Sequence, residues 1–241
     1  MFRAYVFLGI FFAGFLFMTA DSQTAKEDSF KTSKGDLKIT FIGHGTLMFA
    51  FDGKTIHVDP VSRYADYATL PKADLVLVTH EHGDHLDIKA IQAIKKTTTV
   101  ILAPETCKAA LPAAVVINNG GSRDVQGIKI VAVPAYNNSP GAAFHPKGRG
   151  NGYVLTFADK TVYVAGDTEN IPELAALKGV DIAFMPMNLP YTMSVEMAAA
   201  AAKVVQPKVL YPYHFGNSDP AKLVALLKDT SGIEVRIRNL S

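Results

Sequence analysis

Tryptophan is absent from the 241 residues, and cysteine occurs once. One thiol excludes an intramolecular disulfide and any metal site built from cysteine alone. Charge is scarce and nearly balanced. The 24 basic and 22 acidic side chains leave a formal +2, too little to steer the chain toward nucleic acid or an anionic membrane surface. No Gly-Lys-Ser/Thr opens a helix as a phosphate loop requires, and no Gly-x-Ser-x-Gly elbow occurs, so neither a P-loop nucleotide hydrolase nor a serine hydrolase of that type is encoded. With 49% apolar and 19% charged residues the composition is globular, and the length suits one large domain or two small ones. Seven histidines are present, and most of the chemistry lies in their placement.

The one long apolar run is at the start. Ala4 to Met18 reads AYVFLGIFFAGFLFM, preceded by Arg3 and followed by the small-x-small triplet Ala20-Asp21-Ser22. Its length falls short of the roughly 20 residues of a spanning helix. Residues 1–22 therefore read as a signal peptide cleaved before Gln23. This predicts a periplasmic or secreted protein with no stable membrane association after cleavage. The alternative is a membrane anchor retained uncleaved. Residues 23–36 are polar and read as a flexible lead-in, and 37–241 as a single domain.

From Leu37 onward short apolar runs alternate with helical stretches. Strands are predicted at 37–42, 47–51, 55–58, 74–79, 99–103, 115–117, 128–133, 152–157, 161–165, 181–185, 208–211 and 234–237. Asp52-Gly53 marks a hairpin turn. Helices are predicted at 88–96, from Pro104 to Leu111, at 171–177, from a Ser194 cap to Val205, and at 220–228. Strands with interleaved helices imply a layered α/β architecture. The lone Cys107 falls in an amphipathic stretch and reads as core packing.

The densest chemistry follows the buried strand DLVLVT, in Thr79-His80-Glu81-His82-Gly83-Asp84-His85. Three imidazoles and a carboxylate in six residues would be costly inside a core. On a loop after a strand they can converge on a metal: His80 and His82 on one ion, Asp84 and His85 on a second. Imidazole and carboxylate ligands suit zinc, and also iron or manganese.

His80-x-His82-x-Asp84-His85 resembles the signature of the metallo-β-lactamase superfamily, and the resemblance extends over Leu37 to Ser241. It implies a four-layer αβ/βα sandwich with a two-metal site at one edge. It also implies that Asp167, in Val164-Ala165-Gly166-Asp167-Thr168, bridges both ions and that His214, in Tyr213-His214-Phe215-Gly216, serves the second. One departure stands out. Where many members place a third histidine after the strand at 128–133, this chain reads Pro134-Ala135-Tyr136-Asn137-Asn138. The next histidine is His145. A longer loop could deliver His145; otherwise Asn137 makes a weaker contact or that ligand is missing.

Gly43-His44-Gly45 resembles the lactonase-like branch, which includes L-ascorbate-6-phosphate lactonase. The resemblance implies that His44 approaches the site and that Asp59 orients ligand groups without binding metal. His57 reads as structural. Asn188 and Tyr191 are candidate substrate contacts. Lys147, in HPKGRGNG, is a candidate clamp for an anionic group. The cofactors expected are two divalent ions, zinc foremost. The activity expected is hydrolysis of a lactone, ester or phosphodiester-type bond in a small molecule, anionic or neutral, by a metal-bridging hydroxide, with Asp84 and Asp167 catalytic. No nucleic-acid partner is expected. The alternative is a non-catalytic metal-binding or sensing domain that retains the fold.

Overall fold

Apolar alternation builds the first sheet. The computed structural model describes residues 26–138 and 140–241. In it β1 (Glu27–Thr32), β2 (Gly35–Gly43), β3 (Thr46–Phe51) and β4 (Lys54–Val58) form an antiparallel meander. Leu37, Ile39 and Phe41 of β2 and Leu47, Phe49 and Phe51 of β3 are buried, every second residue, as in a sheet with one covered face. β5 (Leu75–Leu77), β6 (Val100–Ala103) and β7 (Val115–Val116) extend the same sheet in parallel. Parallel neighbours need a crossover connection, and α1 (Ile88–Ile94) provides the one between β5 and β6.

The second half of the chain repeats the scheme. β8 (Ser122–Val125), β9 (Ile128–Ala135), β10 (Gly150–Phe157) and β11 (Lys160–Val164) are antiparallel. β12 (Ile182–Pro186), β13 (Val209–Tyr213) and β14 (Glu234–Val235) then continue in parallel. The connections carry α2 (Val195–Val205) and α3 (Pro220–Leu227). The result is two seven-stranded mixed sheets, packed face to face with few helices outside: the αβ/βα sandwich expected. Aromatic side chains bridge the sheets. Phe49 meets Phe157 at 5.7 Å between ring centroids, and Phe41 meets Tyr211 at 5.1 Å. A smaller cluster of Val76, Val78, Ile91, Ile94, Ile101 and Cys107 lies under α1. Burial pushes the Cys107 thiol up to about 12, which suits packing rather than reactivity.

Ser194 caps α2 as predicted, accepting a hydrogen bond from the Met197 amide. The helix predicted from Pro104 to Leu111 is reduced to a 3₁₀ turn over Glu105–Cys107. A stretch this short between Pro104 and Pro112 forms too few hydrogen bonds to offset helix nucleation. The 171–177 segment is likewise 3₁₀, over Pro172–Leu177.

The flexible lead-in over 23–36 is corrected from residue 27 onward. β1 pairs with β2 from Glu27 opposite Thr40 to Thr32 opposite Gly35. Asp28 there meets the Arg238 guanidinium at 2.7 and 2.8 Å, Arg236 at 3.3 Å, and the Tyr211 hydroxyl. A polar segment is held because its half-buried Asp28 carboxylate finds cations far along the chain. The expected signal peptide, residues 1–22, lies outside the described residues. Among those described, no helix is long and apolar enough to cross a membrane.

Candidate metal centre

Parallel strands bring their carboxyl ends to one edge of each sheet, and the polar residues follow directly after them. Asp59 follows β4, His80 to His85 follow β5, Asp167 follows β11 and His214 follows β13. The β2–β3 hairpin adds His44, and the β9–β10 connection adds His145. Three of these residues adopt left-handed backbone angles: His44 (φ 52°), Asp59 (φ 45°) and His214 (φ 45°). Each such departure costs on the order of 1 kcal/mol, and here the cost falls where side chains must be aimed. Gly45 is needed for close approach, since a Cβ there would lie 2.8 Å from His85 Cε1. Gly166 (φ +65°) turns the chain into Asp167, and a Cβ on it would lie 2.7 Å from the Asn151 carbonyl.

Donor atoms gather in three overlapping groups, each within 4.8 Å: His80, His82 and His145; His80, His85 and Asp167; His44, Asp84, His85 and His214. His82 Nδ1 lies 3.0 Å from His80 Nε2 and 3.2 Å from His145 Nε2. The Asp167 carboxylate stands between the groups, with Oδ2 3.3 Å from both His145 Nε2 and His214 Nε2, and Oδ1 3.3 Å from His85 Nε2. Asp84 Oδ2 is 3.6 Å from His214 Nε2 and 3.3 Å from His44 Nε2. The structure thus brings together every ligand position expected from the sequence, including His145, whose carbonyl accepts from the Asn137 amide.

The far nitrogens of His80, His85 and His145 are committed. His85 Nδ1 donates to Asp59 Oδ2 at 2.7 Å, and His145 Nδ1 to the Tyr191 carbonyl at 3.0 Å. Thr79 donates its hydroxyl to Asp59 and receives His80 Nδ1 at 3.0 Å. Fixing one nitrogen as a donor leaves the other as a lone-pair ligand. Yet His85 Nε2, His214 Nε2 and Asp167 Oδ1 are buried without a hydrogen-bond partner. Buried polar atoms aimed at one another and unsatisfied are costly, and a cation among them would satisfy all three. The donor set fits divalent metal.

Ionisation follows the same layout. Burial alone would discharge His85, but the carboxylates of Asp167, Asp59 and Asp84 outweigh it and raise its pKa to about 9. Burial and neighbouring imidazoles keep His80 neutral, well below the usual histidine range, and burial lowers His145. Burial opposes ionisation of Asp167 and Asp84. The surrounding histidines nevertheless hold both carboxyls below the usual range, so they stay anionic. Asp59 is fully buried and raised by burial. Replacing it (Asp59→Asn) would set an amide NH₂ against the Thr79 hydroxyl and His85 Nδ1. We expect metal affinity to fall about 10- to 100-fold, measured by competition with a metal indicator.

A cavity of about 210 Å³ opens over the cluster, lined by His44, His82, Asp84, Phe144, His145, Asp167, Asn188, Tyr191 and His214. Asn188 and Tyr191 therefore stand where substrate contact was expected. Lys147 does not. Its ammonium binds Glu173 at 2.8 Å and the Tyr136 hydroxyl at 3.1 Å, so its charge is spent outside the cavity. His57 is structural as expected: Nε2 meets the Pro71 carbonyl at 3.0 Å, and burial lowers its pKa to about 4. Sequence reasoning missed Phe144, on the cavity wall, and Tyr64, whose ring stacks on His44 at 5.5 Å. No motif marks either one.

Residues 38–214 match the model of the β-lactamase superfamily domain. A UPF0173 metal-dependent hydrolase of Geobacillus is 31% identical over 217 residues, covering 81% of this chain and 95% of the relative. Another, of Pyrococcus horikoshii, is 30% identical, covering 83% and 96%. The crystal structure of a protein from Parabacteroides distasonis, provisionally named a metal-dependent hydrolase, is 55% identical with a TM-score of 0.87 over 89% of this chain and 99% of that one. Igni18, a metallo hydrolase of Ignicoccus hospitalis, is 26% identical with a TM-score of 0.73, over 85% and 96%. These comparisons correct the periplasmic or secreted location, because the relatives include archaeal and Gram-positive proteins.

Proposed function

The chain belongs to the metallo-β-lactamase superfamily as a metal-dependent hydrolase of the UPF0173 family, and from that membership we propose that it is a two-metal enzyme, zinc foremost, that cleaves a lactone, ester or phosphodiester bond in a small molecule. The observation that carries this is the single Asp167 carboxylate lying within 3.3 Å of histidines from both ligand groups. His80, His82 and His145 would hold one ion, His85, His214 and Asp84 the other, with Asp167 serving both. When bound, the ions supply Lewis acidity, lowering the pKa of water and stabilising charge that develops on the cleaved group.

The chain's own residues do the rest. Asp84 is anionic, and its side chain is 40% exposed, so it can accept a hydrogen bond from a water entering the cavity and orient its proton. His44 Nε2, on the same carboxylate oxygen, is placed to pass that proton toward the leaving group. Its ring is held by Tyr64 on one side and by His214 at 3.7 Å. This reach of the Gly43-His44-Gly45 hairpin supports the lactonase-like branch. The cavity is smaller than the roughly 300–1,000 Å³ of sites for drug-sized ligands, which favours a small substrate or the reactive end of a larger one.

The test compares zinc-, manganese- and iron-loaded protein with chelated protein on a panel of lactones, esters and phosphodiesters. Close to two metal equivalents and turnover only when loaded are expected; full activity in the metal-free preparation refutes the reading. A second measurement concerns protons. His85 is raised from 6.5 to about 9. Its imidazolium therefore stabilises the metal-free fold below about pH 6.5, and that contribution is lost as pH rises through about 9. A metal ion requires the neutral ring. Binding near pH 7 should expel about one proton from His85, and the release should vanish above about pH 10. Calorimetry in buffers of different ionisation enthalpy reads this directly.

A further inference from the structure

The cavity walls carry no ammonium or guanidinium among the described residues. The two nearest by sequence are both paired, and of them only Arg149 lines the adjoining crevice beside Phe144 and His145. Lys147 pairs with Glu173, and Arg149 forks onto Glu81 through Nε at 3.1 Å and through a second nitrogen. An anionic group remote from the scissile bond would enter with no cation to meet it, at a desolvation cost. The mouth is instead apolar. Phe144 and Tyr191 are each 44% exposed and pack edge to face at 5.0 Å between centroids. Leu189, between the lining residues Asn188 and Tyr191, is 56% exposed. Two of the six large apolar side chains exposed among the described residues thus stand together on the wall of this one cavity, with Leu189 beside them in sequence. Exposed apolar surface concentrated in one place marks a binding surface.

We infer that the substrate presents an uncharged, apolar group beside the scissile bond, seated against Phe144 and Tyr191, and carries no second anionic group. This rests on the hydrolase reading above and narrows its substrate class to neutral esters or lactones with a hydrocarbon arm. Tyr191 serves twice, since its carbonyl fixes His145 while its ring faces the mouth. A seated hydrocarbon arm would thus lie directly over a residue of the ligand cluster.

The experiment uses zinc-loaded protein and two series. In the first, kcat/KM is measured for nitrophenyl acetate, butyrate and hexanoate, and for the hemisuccinate, whose arm ends in a carboxylate. In the second, acetate, butyrate and hexanoate are titrated as ligands by calorimetry, which needs no turnover. Each methylene should raise both quantities about twofold. That is roughly half the fourfold of a fully buried methylene, because the rings stay half exposed. The hemisuccinate should fall below the butyrate. Phe144→Ala and Tyr191→Ala should flatten the chain-length dependence, and Phe144→Leu should retain part of it. Flat affinities in the unaltered protein, a preference for hemisuccinate, or a slope unmoved in both alanine variants would overturn the inference. No hydrolysis of any ester, with carboxylate affinity still rising along the series and lost in Phe144→Ala, would instead overturn the hydrolase reading and leave the apolar mouth standing.

Discussion

Asp167→Ala should leave a folded protein that holds at most one metal equivalent and has lost at least about a thousandfold in turnover, about 4 kcal/mol of barrier. The carboxylate touches both ligand groups, so no other single side chain should have so wide an effect. His82→Ala provides the contrast. His82 belongs only to the group with His80 and His145, so its loss should remove one equivalent and leave the other. Elemental analysis of the two variants beside the parent, with circular dichroism as a check on folding, separates these outcomes. Two full equivalents retained in Asp167→Ala would sink the idea of a shared carboxylate.

Asp28→Ala should lower stability by about 3 kcal/mol, because it leaves the Arg238 guanidinium buried without its carboxylate. The two side chains are only 10% and 7% exposed, so solvent screens them little. For a chain of this length that is roughly 6–12 °C in melting temperature. The pH dependence has a definite sign. Burial pushes the Asp28 carboxyl up, but hydrogen bonds from Arg238 and Tyr211 and the guanidinium charge outweigh it, so its pKa lies below 3.8. The contribution is therefore fully present above about pH 3.8 and fades as pH falls through the lowered value. Thermal unfolding of parent and variant from neutral to acid pH should show two curves converging at the acid end. A constant gap across that range would mean that packing, not charge, supplies the stabilisation.

Asp28 also shows where sequence reading stops. Its neighbourhood is polar and carries no turn, cap or motif, so nothing local separates an edge strand from a loose lead-in. The partner is Arg238, 210 positions away. β8 was missed for a related reason: three of its four residues are exposed, so an edge strand offers no buried alternation to read. Phe144 is similar, an aromatic on an irregular loop whose meaning comes only from facing Tyr191. Lys147 failed in the opposite direction. Its glycine-rich setting suggested a free cation, but Glu173 lies within reach only in the folded chain.

Much else was local and therefore legible. Period-two burial in β2 and β3, continuous apolar runs in the parallel strands and the Ser194 cap follow from short-range chemistry. The histidine and aspartate motifs announced themselves because each directly follows an apolar strand, where a polar residue is either a ligand or a liability. The sequence by itself determined which side chains could meet a metal and that a layered α/β fold would carry them, the family resemblance adding that the layers are two packed sheets. Only the tertiary structure decided that His145 arrives from a long loop, that Asp167 stands between two groups of imidazoles, and that the cavity mouth is apolar and without cations. Those are distances between segments far apart in the chain, set by how two sheets pack rather than by any residue's own preference.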